Sequence, residues 1–151
     1  MRKKLHKILS YEVGIEFKAC LYFAIILFYY FIFCILQGSY YASIVLMVEM
    51  VLTTYAMGYI QVYLMGNFDE AERFDRKTAF ATLFCSAVYA AISYGLDWFG
   101  RNSAVTAGFF FYMLLVYGCV FLCYKIKRDV DTVQLNRELA DFKRQKNCMK
   151  A

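Results

Sequence analysis

The chain has 151 residues, of which 62% are hydrophobic and 20% aromatic, and it carries a formal net charge of +5 with no proline. Its mean hydropathy is +0.45, and its hydrophobic share is well above that of ordinary globular domains. This composition excludes a soluble domain with a conventional polar surface and indicates a protein whose solvent is largely lipid.

Four long apolar blocks follow one another along the chain, separated by short polar stretches. A membrane-spanning helix needs about 20 mostly apolar residues, and four such blocks leave almost no polar faces to meet water. The pattern predicts an all-α integral membrane protein with four transmembrane helices, a cytoplasmic N-terminal helix and a C-terminal amphipathic helix. It forms a single domain over residues 1–151, with spans over 19–36, 39–65, 78–96 and 103–124 and a cytoplasmic tail over 125–151.

The segment before the first span is amphipathic. Leu5, Ile8, Leu9 and Val13 share one helical face, and lysines lie roughly opposite. Two interpretations stay open: an interfacial helix on an anionic leaflet, or a positively charged topology signal that leads directly into the span.

The distribution of cations predicts the orientation of the spans. Of the 17 Lys and Arg residues, only Arg101 lies in the predicted outer connections. The positive-inside rule therefore places both termini and the middle loop in the cytoplasm. Tyr40, Tyr41 and Trp98 would then form an aromatic belt at the outer interface.

Glu49 is the only acid deep inside a predicted span. A charge there costs about 2.5 to 3.5 kcal/mol on insertion scales, which makes such a residue a candidate for function. Protonation or a hydrogen-bond partner lowers this cost. A structural acid and a proton- or cation-linked site both stay open. The neutral partners that the sequence offers are Thr53, Ser86, Tyr89, Ser93 and Tyr112.

The second half of the third span carries small residues every four positions. Ala87, Ala91 and Gly95 leave one helical face without bulk, so another helix can approach closely. The spacing predicts a helix-packing seam, either within one protomer or between two in a homo-oligomer.

Two polar segments on the predicted cytoplasmic side are candidates for contact with a partner. In the middle loop the candidates are Phe68, Glu70, Glu72 and Phe74, and in the tail they are Leu135, Asn136, Leu139 and Phe142. The tail is rich in helix formers and extends the fourth span. Ile126, Val130 and Val133 form a second apolar stripe on nearly the opposite face, which argues against a long coiled coil. Such a helix can dock on the middle loop, dimerise or bind a cytoplasmic protein.

Sites for chemistry are not predicted. The six cysteines lack paired zinc spacing, and the sequence has no Ser/His/Asp constellation, glycine-rich phosphate loop or aromatic-basic surface for nucleic acid. We therefore expect no enzyme activity, no metal or other cofactor, no disulfide and no direct binding of nucleic acid.

Three segments together resemble a known family. The run from "FDEAERFDRKTAF" through "YGLDWFG" to "YKIKRDVDTVQLNRELADFK" resembles small bacterial four-span membrane proteins of unknown function, often encoded beside LytTR-type DNA-binding regulators. The resemblance covers most of the chain from the second span onward, while the aromatic "FYYFIF" of the first span departs from it. It implies a bacterial cytoplasmic membrane and, for some members, a role in restraining the companion regulator.

The leading hypothesis is a non-enzymatic inner-membrane protein that binds and restrains a cytoplasmic LytTR-type regulator. One alternative is a small dimeric multidrug-type transporter that uses Glu49 for proton coupling. Another is an accessory subunit of a larger membrane complex.

Overall fold

A computed structural model of the chain describes residues 2–39, 41–66, 68 and 75–148, with side chains for 12–39, 41–66, 68, 75–140 and 142. Within these ranges the protein is helical and contains no strand. The helices are α1 (Arg2–Leu36), α2 (Ile44–Tyr59), α3 (Arg76–Gly95) and α4 (Ser103–Cys148), and a π-helical turn (Ile60–Leu64) extends α2.

Each of the four helices contains a stretch long and apolar enough to cross a membrane. These stretches are Glu12–Leu36, Ile44–Leu64, Arg76–Gly95 and Ser103–Ala140. Many large apolar side chains point outward from them, a surface that suits hydrocarbon and not water. The predicted all-helical class is confirmed, with four helices long and apolar enough to span a membrane, and it is consistent with a multi-pass membrane protein.

The N-terminal helix is not a separate element. Residues 2–18 continue directly into the first span as one helix of 35 residues. Neither proline nor a glycine pair interrupts this stretch, and extending a helix is easier than nucleating a second one. The side chains before Glu12 lie outside the described set, so the predicted interfacial stripe stays a prediction.

The connection between α1 and α2 is longer than predicted, because α2 begins at Ile44 and not at Ser39. Gly38 ends α1 with φ of +71°, a conformation that glycine adopts without steric cost. Its N–H donates to the Ile35 carbonyl at 3.0 Å, and the N–H of Ser39 donates to the Cys34 carbonyl at 3.0 Å. This hydrogen-bond pair is a Schellman motif, and it turns the chain away from the helix axis.

The connection between α3 and α4 also begins with a Schellman motif, with an aspartate in place of the glycine. Asp97 takes the left-handed conformation at φ of +60°, and the N–H of Trp98 donates to the Ser93 carbonyl at 3.0 Å. Asn102 then caps α4, since its Oδ1 accepts from the N–H groups of Ala104 and Val105 at 3.1 and 3.4 Å. The turn is therefore fixed at both ends.

The helices pack chiefly as two neighbouring pairs, α1 with α2 and α3 with α4. Consecutive spans run in opposite directions. The start of α1, the π-helical turn, the start of α3 and the α4 tail therefore lie at one end of the bundle, called here the tail end. The connections over 37–43 and 96–102 lie at the other, called here the hairpin end.

Tyrosines join α1 to α4 across the bundle. The Tyr29 hydroxyl donates to the Val105 carbonyl at 3.0 Å, and the Tyr112 hydroxyl donates to the Ile25 carbonyl at 3.1 Å. Gly108 makes this approach possible, because a Cβ at that position would lie 2.9 Å from the Tyr29 hydroxyl. The aromatic first span thus serves packing within the bundle as well as contact with lipid.

The small-residue seam of α3 faces away from its own bundle. Ala87, Ala91 and Gly95 are all exposed, and a Cβ on Gly95 would meet no atom within 4 Å. α3 packs through another face, which includes Ala81, Thr82, Cys85, Ser86, Tyr89 and Ser93. This face is therefore not packed against another helix in the described part of the chain, and packing between protomers stays a prediction.

Candidate functional site

Glu49 contacts the turn at the hairpin end. Because α2 begins at Ile44, Glu49 lies in the second helical turn and not in the middle of the span. The indole Nε1 of Trp98 donates to its Oε2 at 3.3 Å. This hydrogen bond ties α2 to the turn after α3, and it gives the half-buried carboxyl a structural role.

The partner of Glu49 is therefore not among the five predicted ones. The Ser93 hydroxyl donates to the Ala90 carbonyl at 2.8 Å, and the Tyr112 hydroxyl is engaged with α1. Ser86 Oγ and Tyr89 Oη are buried without any hydrogen-bond partner in the described part of the chain.

Trp98 does not belong to an outer aromatic belt. Only 1% of its surface is exposed, whereas Tyr41 is 90% exposed, and Tyr40 lies outside the described residues. The Trp98 ring packs edge-on against Phe109, because the left-handed Asp97 turns the chain back over the bundle. The sequence signal for a belt, an aromatic residue near a span end, does not report which way the turn folds.

The middle loop contributes to the bundle core. Phe68 is buried, and its ring lies 5.5 Å from that of Tyr117 on α4. The bundle covers its side chain, and its predicted contact with a partner stays a prediction. Glu70, Glu72 and Phe74 lie outside the described residues.

A buried polar group that charge-based sequence analysis missed lies beside Phe68. Gln61 sits in the π-helical turn with no exposed surface, and its Nε2 donates to the Tyr117 hydroxyl. Its Oε1 has no hydrogen-bond partner among the residues described. Single-turn π-helices occur often at functional sites. The sequence signal that could have identified this group is a polar glutamine between two apolar residues, Ile60 and Val62, inside a predicted span.

Lys18 is a second buried polar residue at the tail end. Only 2% of its surface is exposed, and it lies three residues after Ile15 and four before Tyr22 on the buried stripe of α1. The Tyr22 ring packs against Tyr117 at 5.1 Å. A cation in this position belongs to the interior of the bundle and not to the basic surface that the sequence predicts.

The tail of α4 exposes apolar side chains on two opposite faces. α4 continues without a break from the fourth span to Cys148. Ile126, Val130 and Val133 are exposed on one face, and Leu135, Leu139 and Phe142 on the other. Asn136 is exposed between them. Charged residues alternate with these side chains, a pattern that bilayer hydrocarbon disfavours.

The first of these faces is a patch on one helix. Ile126, Val130 and Val133 form its apolar part, and Asp129, Arg137 and Glu138 lie along it. An apolar helix face of this kind is suited to a hydrophobic groove on a partner protein.

Polar side chains of the tail are occupied within their own helix. The Thr132 hydroxyl donates to the Arg128 carbonyl at 2.8 Å, and Gln134 Nε2 donates to Glu138 Oε1 at 3.1 Å. These contacts are local to the helix and support it where it has left the bundle. The apolar faces are the part of the tail left open to a partner.

The cysteines in the part of the chain with described side chains are free thiols. They are Cys20, Cys34, Cys85, Cys119 and Cys123. In the same part, no group of three or more His, Cys, Asp or Glu residues is arranged to hold a metal ion.

Comparison with known proteins adds no relative: no family model, no curated protein and no solved structure matches this chain.

Proposed function

We propose that this protein is a non-enzymatic inner-membrane protein that binds a cytoplasmic protein on the tail of α4. The proposal rests on one observation: the tail exposes two apolar stripes, Ile126 to Val133 on one face and Leu135 to Phe142 on the other. The sequence resemblance suggests a LytTR-type transcription regulator as the partner. In this proposal both termini and the middle loop are cytoplasmic.

The energetics of the tail support a protein partner. Burying a large aliphatic or aromatic side chain contributes about 1.5–3 kcal/mol relative to leaving it in water. Each stripe offers three such side chains, which is enough gross burial for a modest affinity once the cost of association is subtracted. Asp129, Arg137 and Glu138 beside the first stripe would set the register of the bound partner.

Binding at the membrane would restrain the regulator by keeping it away from DNA. A regulator held at the membrane is removed from the pool that reaches DNA, and the fraction removed depends on the concentration of the membrane protein relative to the dissociation constant. Micromolar binding is sufficient if the membrane protein is abundant. The site needs no catalytic group for this role.

The test is co-purification of the full-length protein with a LytTR-type regulator, in a mild detergent. We expect the wild type to retain the regulator. Val130→Asp with Val133→Asp should weaken retention at least about tenfold, because charged side chains would have to be desolvated at the interface. Leu135→Asp with Leu139→Asp probes the opposite face in the same way.

The matched control is Lys125→Gln with Lys127→Gln. It changes the net charge by the same amount, at exposed positions that lie between the two stripes at 100° per residue. The control should retain the regulator. Two results would contradict the proposal: failure of the wild type to capture the regulator, or capture at the wild-type level by both stripe variants.

A further inference from the structure

A groove lies at the tail end, between the π-helical turn after α2 and the first turns of α3. It has a volume of about 390 Å³ and is lined by Leu64, Met65, Arg76, Lys77, Phe80 and Ala81. Four of these residues are apolar, and the two charged ones are both cations. The groove therefore combines an apolar wall with a positive rim.

The two cations of the groove are exposed at the start of α3, directly after Asp75. Arg76 and Lys77 are exposed, and neither forms an ion pair within the described part of the chain. They stand in the first turn of α3, which contains no acid, and the Asp75 side chain makes no capping hydrogen bond there. Cations at a helix N-terminus oppose the helix dipole, so an anion beside them would relieve this repulsion.

The apolar wall of the groove faces outward. Leu64 is 80% exposed and Phe80 is 68% exposed, although both lie in stretches apolar enough to cross a membrane. Their side chains are therefore exposed apolar surface beside Arg76 and Lys77, at one end of the stretches that could cross a membrane. A ligand that suits both parts has an acyl chain joined to an anionic head.

We propose that this groove binds an anionic phospholipid of the leaflet at the tail end. Its phosphate contacts Arg76 and Lys77, and one acyl chain lies along Leu64 and Phe80. Two features favour a phospholipid as the ligand. The cations complement its anionic head, and the groove is continuous with the apolar outer surface of the helices. A soluble phosphate would leave the apolar wall uncovered. Basic pockets between helices at a membrane surface bind anionic head groups in this way.

The experiment is native mass spectrometry of the full-length protein with two lipids of identical chains, dioleoylphosphatidylglycerol and dioleoylphosphatidylcholine. We expect tighter binding of phosphatidylglycerol to the wild type. Arg76→Gln with Lys77→Gln should lower that affinity about 25-fold, roughly fivefold for each cation. Phosphatidylcholine binding should stay within about twofold.

The control is again Lys125→Gln with Lys127→Gln, which removes two cations from another helix at the same end. It should keep phosphatidylglycerol binding within about twofold of the wild type. Equal losses in the two double variants would show a diffuse charge effect and overturn the proposal, as would unchanged binding by the Arg76 and Lys77 variant. Circular dichroism of both variants checks that the fold is intact.

A soluble competitor separates a lipid site from a phosphate site. Millimolar glycerol phosphate should not displace phosphatidylglycerol, because it lacks the chain that Leu64 and Phe80 contact. Displacement by glycerol phosphate would show that the head group alone provides the affinity and would overturn the assignment of the apolar wall. This test is independent of any cytoplasmic protein partner.

Discussion

Glu49 and Trp98 show how a costly side chain is accommodated in a small bundle. The carboxyl lies one turn inside α2, where the indole of Trp98 reaches it, and the ring of Trp98 is itself covered by Phe109. An acid in this position holds the hairpin end together across two helices. The transport hypothesis instead requires the same carboxyl to exchange protons or ligands, so the two roles make different predictions.

A double-mutant cycle with Trp98→Phe and Glu49→Ala measures the contact. We expect a coupling energy of about 0.6 to 1.7 kcal/mol, the range found for hydrogen bonds between membrane helices. The measurement is the free energy of unfolding from SDS titration in mixed micelles. Glu49→Gln should lower the free energy of unfolding less than Glu49→Ala does, because the amide oxygen can still accept a hydrogen bond from the indole. A coupling of zero would refute the structural role.

Gly108 allows a second residue-scale prediction. Gly108→Ala places a Cβ 2.9 Å from the Tyr29 hydroxyl, so the tyrosine must move and its hydrogen bond to Val105 is lost. Gly118→Ala on the same helix meets no atom within 4 Å. We expect Gly118→Ala to gain up to about 1 kcal/mol in unfolding free energy from helix propensity. Gly108→Ala should show no such gain in unfolding free energy.

The Tyr29→Phe background provides the control for this prediction. Without the hydroxyl, Gly108→Ala should become as favourable as Gly118→Ala. If the two alanine variants already differ by less than the experimental error in the wild-type background, the close approach of Tyr29 does not matter for stability.

At the scale of elements, the π-helical turn connects the second span to α4. Gln61 binds Tyr117, and Phe68 from the middle loop packs on the same ring. The turn therefore brings the loop and the fourth helix to one residue. Tyr117 lies two helical turns before the tail begins, so the loop and the root of the tail share a buried contact.

Tyr117→Phe should destabilise the protein more than Gln61→Leu. The first change removes the acceptor of the Gln61 amide and leaves a fully buried donor unsatisfied, which costs about 1–3 kcal/mol. The second change removes that donor together with Oε1, which has no hydrogen-bond partner in the described part. Unfolding free energies of both variants and of their combination test this order. A larger loss for Gln61→Leu would contradict it.

At the scale of the whole molecule, the orientation in the membrane is the prediction on which a cytoplasmic partner depends. Cysteine labelling tests it in a chain whose six native cysteines are replaced by alanine. Ser39→Cys should react with an impermeant maleimide in intact cells, and Gln134→Cys only after the cells are permeabilised. The reverse pattern would place the tail outside and remove any cytoplasmic partner.

The number of spans was predictable from sequence because each is encoded locally, by about 20 consecutive apolar residues. The contacts within the bundle were not, because they join distant segments. Trp98 reaches Glu49 only after Asp97 has taken a left-handed conformation, and nothing in the alternation of apolar residues encodes that turn. The seam at Ala87, Ala91 and Gly95 shows the same limit: small residues permit close packing without specifying which helix packs there.

The unbroken course of α4 has a mechanical consequence. At 1.5 Å per residue the helix is about 69 Å long. Contacts of Tyr112 with α1 and of Tyr117 with Gln61 hold its first part in the bundle, while the tail residues over 125–140 are almost all exposed. Residues 125–148 add about 36 Å beyond these contacts, so a tilt of about 10° at the root of the tail displaces its far end by about 6 Å. A small repacking around Tyr117 would therefore move the surface that a partner would hold.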